Sequence, residues 1–499
     1  MKKLARTRYK NAVVWTGFGN PLRDTLTIEG KVVVEDDGDS VDNELDCGGR
    51  AILPAFIDGH SHPSIVAKSA LGPDVTNCKS VEEVVETVSS WIRSNPHAKW
   101  AVGGSYDRSM APGGQFQAAW LDRASKTVAI ALHASDQHTI WANSAAIQQA
   151  KLPNELPKGV ELDSSGNPTG MFYESEAKNL ILREVPPFSD SLLTMSLEAQ
   201  LKHMTSLGIV ATLDAWGDQT TERLFESLQS EVHVERAIAI HPGSWKNLQG
   251  VRTAKFFIDG VLGARTALVS QPYVTEHSHG SAFWDFEELI DALRHFDDLG
   301  CRLHLHAIGD GGVQVVIDAL IALGSTAHRA TIAHAELLLD SQIESLAALQ
   351  VFVCAQPLWA RIDSLSVGAL ENLGSERSKL LYRHRDLLDE GGLLSFGSDW
   401  PVSSPEPLLG IYTAICRTEP GSNNPLNPAQ AITLDEAIKA YTETPAQQLG
   451  LEKRGRLEPG FSADFVLLSG NPFADSGATL AQMFVDETVS GGQTLFTRR

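Results

Sequence analysis

Cysteine is scarce: the chain of 499 residues has five, Cys47, Cys78, Cys301, Cys354 and Cys416, scattered and never in Cys-x-x-Cys spacing. That excludes a disulfide framework and a zinc ribbon, and fits reduced, mostly buried thiols. Long apolar runs are missing too, none approaching the ~20 residues that a membrane-spanning helix needs. The basic start at residues 1–10 leads into no apolar h-region, because Thr16 and Gly17 interrupt the short run before them. A soluble, cytoplasmic protein with no membrane partner is expected. Positive charge is in deficit: 41 Lys and Arg against 62 Asp and Glu leave a formal net charge of -21, which argues against nucleic acid as a partner and leaves cationic or neutral small-molecule substrates. No Gly-x-Gly-x-x-Gly fingerprint follows an early strand, and Gly309 to Gly312 lacks the lysine and hydroxyl of a P-loop, so dinucleotide and nucleotide sites are unsupported.

What is present is apolar material for a large core, 42% hydrophobic residues, arranged in two patterns. The first fifty residues read as short strands (12–15, 25–28, 31–35) broken by turns, and residues 463–468 and 493–496 read the same way. The two termini are expected to pair into one sheet domain, residues 1–53 with 430–499. Between them short apolar strands alternate with helical periodicity, the signature of parallel βα units. Candidate strands at 52–57, 209–213, 234–240, 254–258, 302–306, 330–333, 351–355 and 393–396 number eight, as a TIM barrel over 54–429 requires. Amphipathic segments at 192–206, 286–298, 313–323 and 341–349 fall between them. A doubly wound open sheet alternates similarly, but chemical residues at the strand ends favour the closed barrel. Residues 64–191, too long for an unstructured loop, read as a folded insertion at the barrel mouth, with a helix at 80–91 and a strand at 127–132.

The most informative stretch is Phe56-Ile57-Asp58-Gly59-His60-Ser61-His62, an apolar run ending in two histidines one residue apart. If 55–57 close a strand, His60 and His62 project to one side, as a pair of imidazoles on one metal must. Other candidate strand ends carry Lys255, His306, His334 and Asp399, and in a barrel all these ends face one opening. A His-rich set with a carboxylate suits zinc, with manganese, iron or nickel as other occupants. Singly, each residue has an ordinary reading: a hydrogen-bonded core histidine, a surface lysine, a turn-forming aspartate in Gly397-Ser398-Asp399-Trp400-Pro401. The joint pattern carries the assignment. In Arg302-Leu303-His304-Leu305-His306 both rings alternate to one face; His306, nearer the strand's end, is taken as the ligand and His304 as its partner or a substrate contact. Arg265, Tyr106 and Trp400 are further candidates for touching substrate, Arg265 with a structural ion pair as the alternative.

These residues resemble the amidohydrolase superfamily, and within it amidohydrolase family 3, which includes N-substituted formamide deformylases. The resemblance spans nearly the whole chain and rests on the His60/His62 segment, Gly170-Met171-Phe172-Tyr173-Glu174, Lys255-Phe256-Phe257-Ile258-Asp259-Gly260, His306-Ala307-Ile308-Gly309-Asp310, Gly397-Ser398-Asp399-Trp400-Pro401-Val402 and residues 455–464. It implies an α/β fold: a (β/α)8 barrel, a composite β-sandwich from both termini and a large insertion after the first strand. It also implies one or two divalent ions, with Lys255 carbamylated if there are two, since a lysine ammonium has no lone pair to offer a cation. In Gly103-Gly104-Ser105-Tyr106-Asp107 a tyrosine stands where relatives often have tryptophan, and His133 to His138 with Asn143-Ser144 matches the insertion motif. The expected chemistry is cleavage of a carbon–nitrogen bond other than a peptide bond by metal-activated water, Asp399 moving the proton. The alternatives are a deaminase or cyclic amidohydrolase on the same site, and a non-catalytic binding protein that kept the barrel. A homodimer is the common default.

Overall fold

Eight apolar stretches become parallel strands: β1 (Phe56–Ser61), β2 (Ile209–Gly217), β3 (His233–Ile240), β4 (Thr253–Phe257), β5 (Arg302–Ala307), β6 (Ala330–His334), β7 (Phe352–Ala355) and β8 (Leu393–Phe396). They are hydrogen-bonded in that order as one sheet in a computed structural model that describes residues 4–38, 40–135, 138–217, 219–228, 230–324 and 330–498. Every residue of β1, β6 and β7 is buried. Strands covered on both faces carry continuous apolar runs rather than alternation, which is why the sequence showed them as blocks. The end of β1 meets the turn that follows β8: Asp399 N donates to His60 O at 2.7 Å and His62 N donates to Trp400 O at 2.8 Å. The approach demands glycine at 397, where an added Cβ would stand 2.5 Å from His60 N. The sheet is thus nearly closed, as in a TIM barrel.

The first expected strand, 52–57, is two strands. Ala51–Pro54 pairs antiparallel with Phe465–Leu468 in another sheet, and the chain enters the barrel only at Phe56. Pro54 has no N–H with which to continue a ladder, so the switch falls there. The barrel strand in turn runs on to Ser61, placing His60 inside it and His62 one residue past its end.

Two smaller sheets use the termini. Arg6–Lys10, Leu26–Glu29, Val32–Val34 and Asn43–Asp46 form one; Val13–Val14, Ala51–Pro54, Phe465–Leu468, Val485–Ser490 and Gln493–Thr497 form the other, which joins both ends of the chain. One apolar cluster draws on both, with Tyr9, Ile28 and Val33 beside Ile52, Phe465 and Val489. The expected boundary at 430 is corrected: the helices Leu434–Tyr441 and Glu443–Leu449 pack on β1 and β8, and the Gln448 amide donates to Gly59 O at 2.9 Å. A capping box starts the first of them, Thr433 Oγ1 accepting from Glu436 N while Glu436 accepts from Thr433 N.

The chain divides into two compact units, one of Met1–His62, Leu201–Arg223 and Gln229–Arg499, the other of Pro63–Gln200 and Leu224–Leu228. The first holds the barrel strands and both terminal sheets together. The second has its own five-stranded sheet (Trp100–Tyr106, Ala129–Ala134, Thr139–Ala142, Pro168–Tyr173, Val160–Leu162) and a helix, Val81–Ser94, capped by Ser80. Tyr106, Phe116, Trp141 and Met171 lie in its core. Among the described residues no helix is long and apolar enough to cross a membrane.

Candidate metal centre

His60, on β1, and His62 and Asp399, each just beyond a strand, are all buried and bring three ligand atoms within 4.8 Å of one another. His62 Nε2 lies 2.8 Å and His60 Nε2 3.2 Å from the same oxygen, Asp399 Oδ1. Asp399 adopts a left-handed backbone (φ 54°), and Asp58 supports the turn by accepting from Ser398 N at 2.9 Å and Ser398 Oγ at 2.6 Å. Burial pushes the Asp58 carboxyl up to about 6, against those bonds. Burial would also raise Asp399, but the bond from His62 and the charges of His62, His334 and Lys255 outweigh it and hold the carboxyl below its ordinary value.

Burial, and then the charge of Lys255, hold the His60 ring well below its usual range and therefore neutral. Its Nδ1 lies 2.7 Å from His304 Nε2. With the proton on that side, His60 Nε2 presents a lone pair toward a carboxylate, and this buried nitrogen has no hydrogen-bond partner. Two acceptors facing each other in a dry site need a cation between them, and an N, N, O donor set is one that zinc-class ions accept. The residues present fit a divalent metal.

Further rings extend the group. His334 lies 4.9 Å from His60 and 4.6 Å from His306, centroid to centroid. The Gln356 amide donates to Cys354 O at 3.3 Å, which fixes its oxygen toward His334 Nδ1 at 2.7 Å; the proton therefore sits on Nδ1 and Nε2 is left as the ligating atom. Trp359 stacks on that ring at 5.4 Å. His306 Nε2 donates to Gly260 O at 3.2 Å. Lys255 is buried on β4 opposite His304 of β5, its Nζ 5.1 Å from the Phe257 ring centre, and burial pushes its amine down to about 7.

The structure therefore brings His60, His62 and Asp399 to one point, strings His304, His334 and His306 beside them, and leaves Lys255 within electrostatic reach of His60, His304 and His334. Trp400 joins through its backbone, its ring 5.8 Å from His203. Tyr106 is fully buried in the apolar core of the second unit, packed on Phe116 and Trp141. Arg265 is half exposed and pairs with Glu276 at 2.6 Å, the structural alternative weighed for it. Of the insertion motif, residues 136 and 137 lie outside the described residues; Asn143 caps the helix Ser144–Ala150 and its amide donates to Ser125 O and Val128 O.

Three residues had no role in the sequence reading. Gln356 directly follows β7, a strand end that the barrel argument could have searched. Asp259, fully buried after β4, accepts from Leu268 N, Ile308 N and Gly309 N at 2.9 to 3.0 Å, tying together the segments that follow β4 and β5. Glu336, two residues past His334, accepts from the Tyr382 hydroxyl at 2.8 Å.

Residues 43–496 match the model described as Amidohydrolase family. The amidohydrolase YtcJ of Bacillus subtilis (strain 168) is 28% identical over 91% of this chain and 90% of its own length. N-substituted formamide deformylase of Arthrobacter pascens is 25% identical, covering 91% of this chain and 90% of that protein. The crystal structure of an uncharacterized metal-dependent hydrolase from Pyrococcus horikoshii OT3 superposes with a TM-score of 0.76 at 25% identity, covering 95% of this chain and 99% of that one.

Proposed function

The chain belongs to the Amidohydrolase family, and from that premise we propose that it is a zinc-dependent hydrolase of small molecules, cleaving a carbon–nitrogen bond of amide or formamide type other than a peptide bond. The observation that carries this reading is the convergence of His60, His62 and Asp399, with His60 Nε2 buried and unpartnered beside a carboxylate. The similarity to a formamide deformylase supports the bond type.

His60, His62 and Asp399 would hold a divalent ion, with His306 and His334 beside them. A divalent cation supplies Lewis acidity there, lowering the pKa of water toward about 7 and polarising the bond under attack. Asp399, held below its ordinary value, is ionised at neutral pH and accepts the proton of the attacking water through the oxygen that His62 does not occupy, then passes it to the leaving nitrogen. His304 orients His60 through the Nδ1 bond. Lys255, its amine pushed down to about 7, carries a lone pair in part at neutral pH and can take up carbon dioxide as a carbamate, which would offer oxygen donors in place of a repelling cation.

Metal analysis of the purified protein, followed by a panel of N-formyl amines, N-acyl amino acids, cyclic imides and aminated heterocycles, tests this. Turnover of N-formyl or N-acyl amines that stops with a chelator and returns with zinc is expected. Turnover confined to the heterocycles or imides would replace it with deamination or ring opening, and absence of both metal and turnover would return the binding-protein alternative. Labelled bicarbonate gives a carbamate signal that Lys255→Ala lacks.

A further inference from the structure

Glu336 lies two residues beyond His334 and is 7% exposed. Its Oε2 is held by the Tyr382 hydroxyl at 2.8 Å, and its backbone carbonyl accepts from Tyr382 N at 2.8 Å, so the side chain is fixed rather than swinging. Among the described residues no lysine or arginine pairs with it, and burial, with the charge of Asp399 added, pushes its carboxyl up to about 7. A buried carboxyl near a like charge and without a cation is costly to keep. Beside it, Trp359 packs against the cluster that contains Tyr382 and stacks on His334 at 5.4 Å, and its indole N–H is buried with no partner. An unpartnered donor and a one-sided acceptor, both attached to the same histidine's surroundings, suit a ligand that carries an acceptor and an N–H together.

We infer that Glu336 is the specificity-determining residue for the nitrogen side of the substrate: its carboxylate accepts the N–H of the scissile group and then holds the released amine as its ammonium. The inference rests on the hydrolase reading and narrows it to N-acyl amines that keep an N–H, over N,N-disubstituted ones, with an ammonium as the product on that side. Trp359 supplies the flat wall and the indole donor.

The test reads binding, not turnover. Calorimetry on zinc-loaded full-length protein compares benzylammonium with its neutral isostere benzyl alcohol. The wild type is expected to prefer the ammonium by about tenfold or more, the lower range for one charge-assisted hydrogen bond. Glu336→Gln, which keeps an oxygen for Tyr382, is expected to lose that preference while retaining its zinc. A wild type without the preference, or a Glu336→Gln protein that keeps it, overturns the inference, and so does loss of zinc in that variant with the preference per loaded site unchanged. Should Glu336→Gln not fold, Glu336→Asp withdraws the carboxylate by one methylene, and an unchanged preference there overturns it equally. If no amide is ever turned over, the proposed function falls while the binding result still stands or falls alone.

Discussion

Two buried aspartates follow barrel strands of this protein and share almost nothing else. Asp399, after β8, faces imidazoles: His62 and His60 approach one of its oxygens at 2.8 and 3.2 Å, and its carboxyl is held below the ordinary value. Asp259, after β4, faces backbone: three N–H groups donate to it, yet burial pushes it up to about 7. Desolvation is the leading influence on both. Nearby side-chain charge reverses it for one, and amide dipoles alone do not for the other. The lesson is that burial does not make a carboxylate a ligand; its neighbours do. Asp399 is surrounded by groups that also want a cation, whereas Asp259 is a strut between two loops.

The largest effect separates the two by function. Asp399→Asn preserves shape and removes the charge, so zinc affinity should fall by at least about a hundredfold and turnover should vanish, with the far-ultraviolet circular dichroism unchanged. Near-native turnover would return Asp399 to the class of turn formers. Asp259→Asn should do the reverse in kind: its single remaining acceptor oxygen leaves backbone donors orphaned, at a cost of about 1–3 kcal/mol each in urea unfolding, with metal retained. Gly312→Ala is the milder companion, because its Cβ would stand 2.4 Å from Asp259 Oδ2 and must displace it, for about 1–3 kcal/mol. If Asp259→Asn instead lost zinc at full stability, the contrast would be broken.

The same contrast explains what the sequence could tell. The barrel strands were legible because burial on both faces writes them as apolar blocks, and the ligand candidates were legible because they end such blocks. The crossing from one sheet to another at Pro54 was not, since 52–57 is apolar on both sides of the proline. Arg6–Lys10 was missed because one buried tyrosine among basic and polar residues gives no period. Gln356, Asp259 and Glu336 carry no pattern at all: an amide that sets a histidine tautomer, or a carboxylate that collects N–H groups from distant segments, acquires its role only when the chain folds. Tyr106 shows the converse, a residue singled out by its sequence segment whose packing on Phe116 and Trp141 that segment does not announce.

A pH titration of stability sharpens the comparison next. For Asp259 the native carboxyl titrates at about 7 and the ordinary value is 3.8, so between these values the native state binds more protons than the unfolded one. Its contribution must therefore fall as pH rises through that window, and subtracting the Asp259→Asn profile from the wild-type profile should reveal a downward slope there. Asp399 has the opposite sign: its contribution is present above its ordinary value and is lost only in acid. Measured in metal-free protein by urea unfolding at successive pH values, an upward slope across the Asp259 window would mean that the three N–H donors, not burial, set its charge.

The smallest effect comes from a carboxylate left in water. Glu276 pairs with Arg265 at 2.6 Å, a shorter contact than Asp399 makes with either of its imidazoles, but the two side chains keep 53% and 41% of their surface. Solvent and salt screen such a pair, and two long side chains lose entropy to hold it, so Arg265→Gln should shift stability by less than about 0.5 kcal/mol. Turnover should not change, because Arg265 is spent on Glu276 and lies outside the histidine group. A loss of more than about tenfold in kcat/KM at unchanged stability would put Arg265 back among the substrate contacts, since by the factor of ~1.4 kcal/mol per decade it would exceed anything the ion pair itself can contribute.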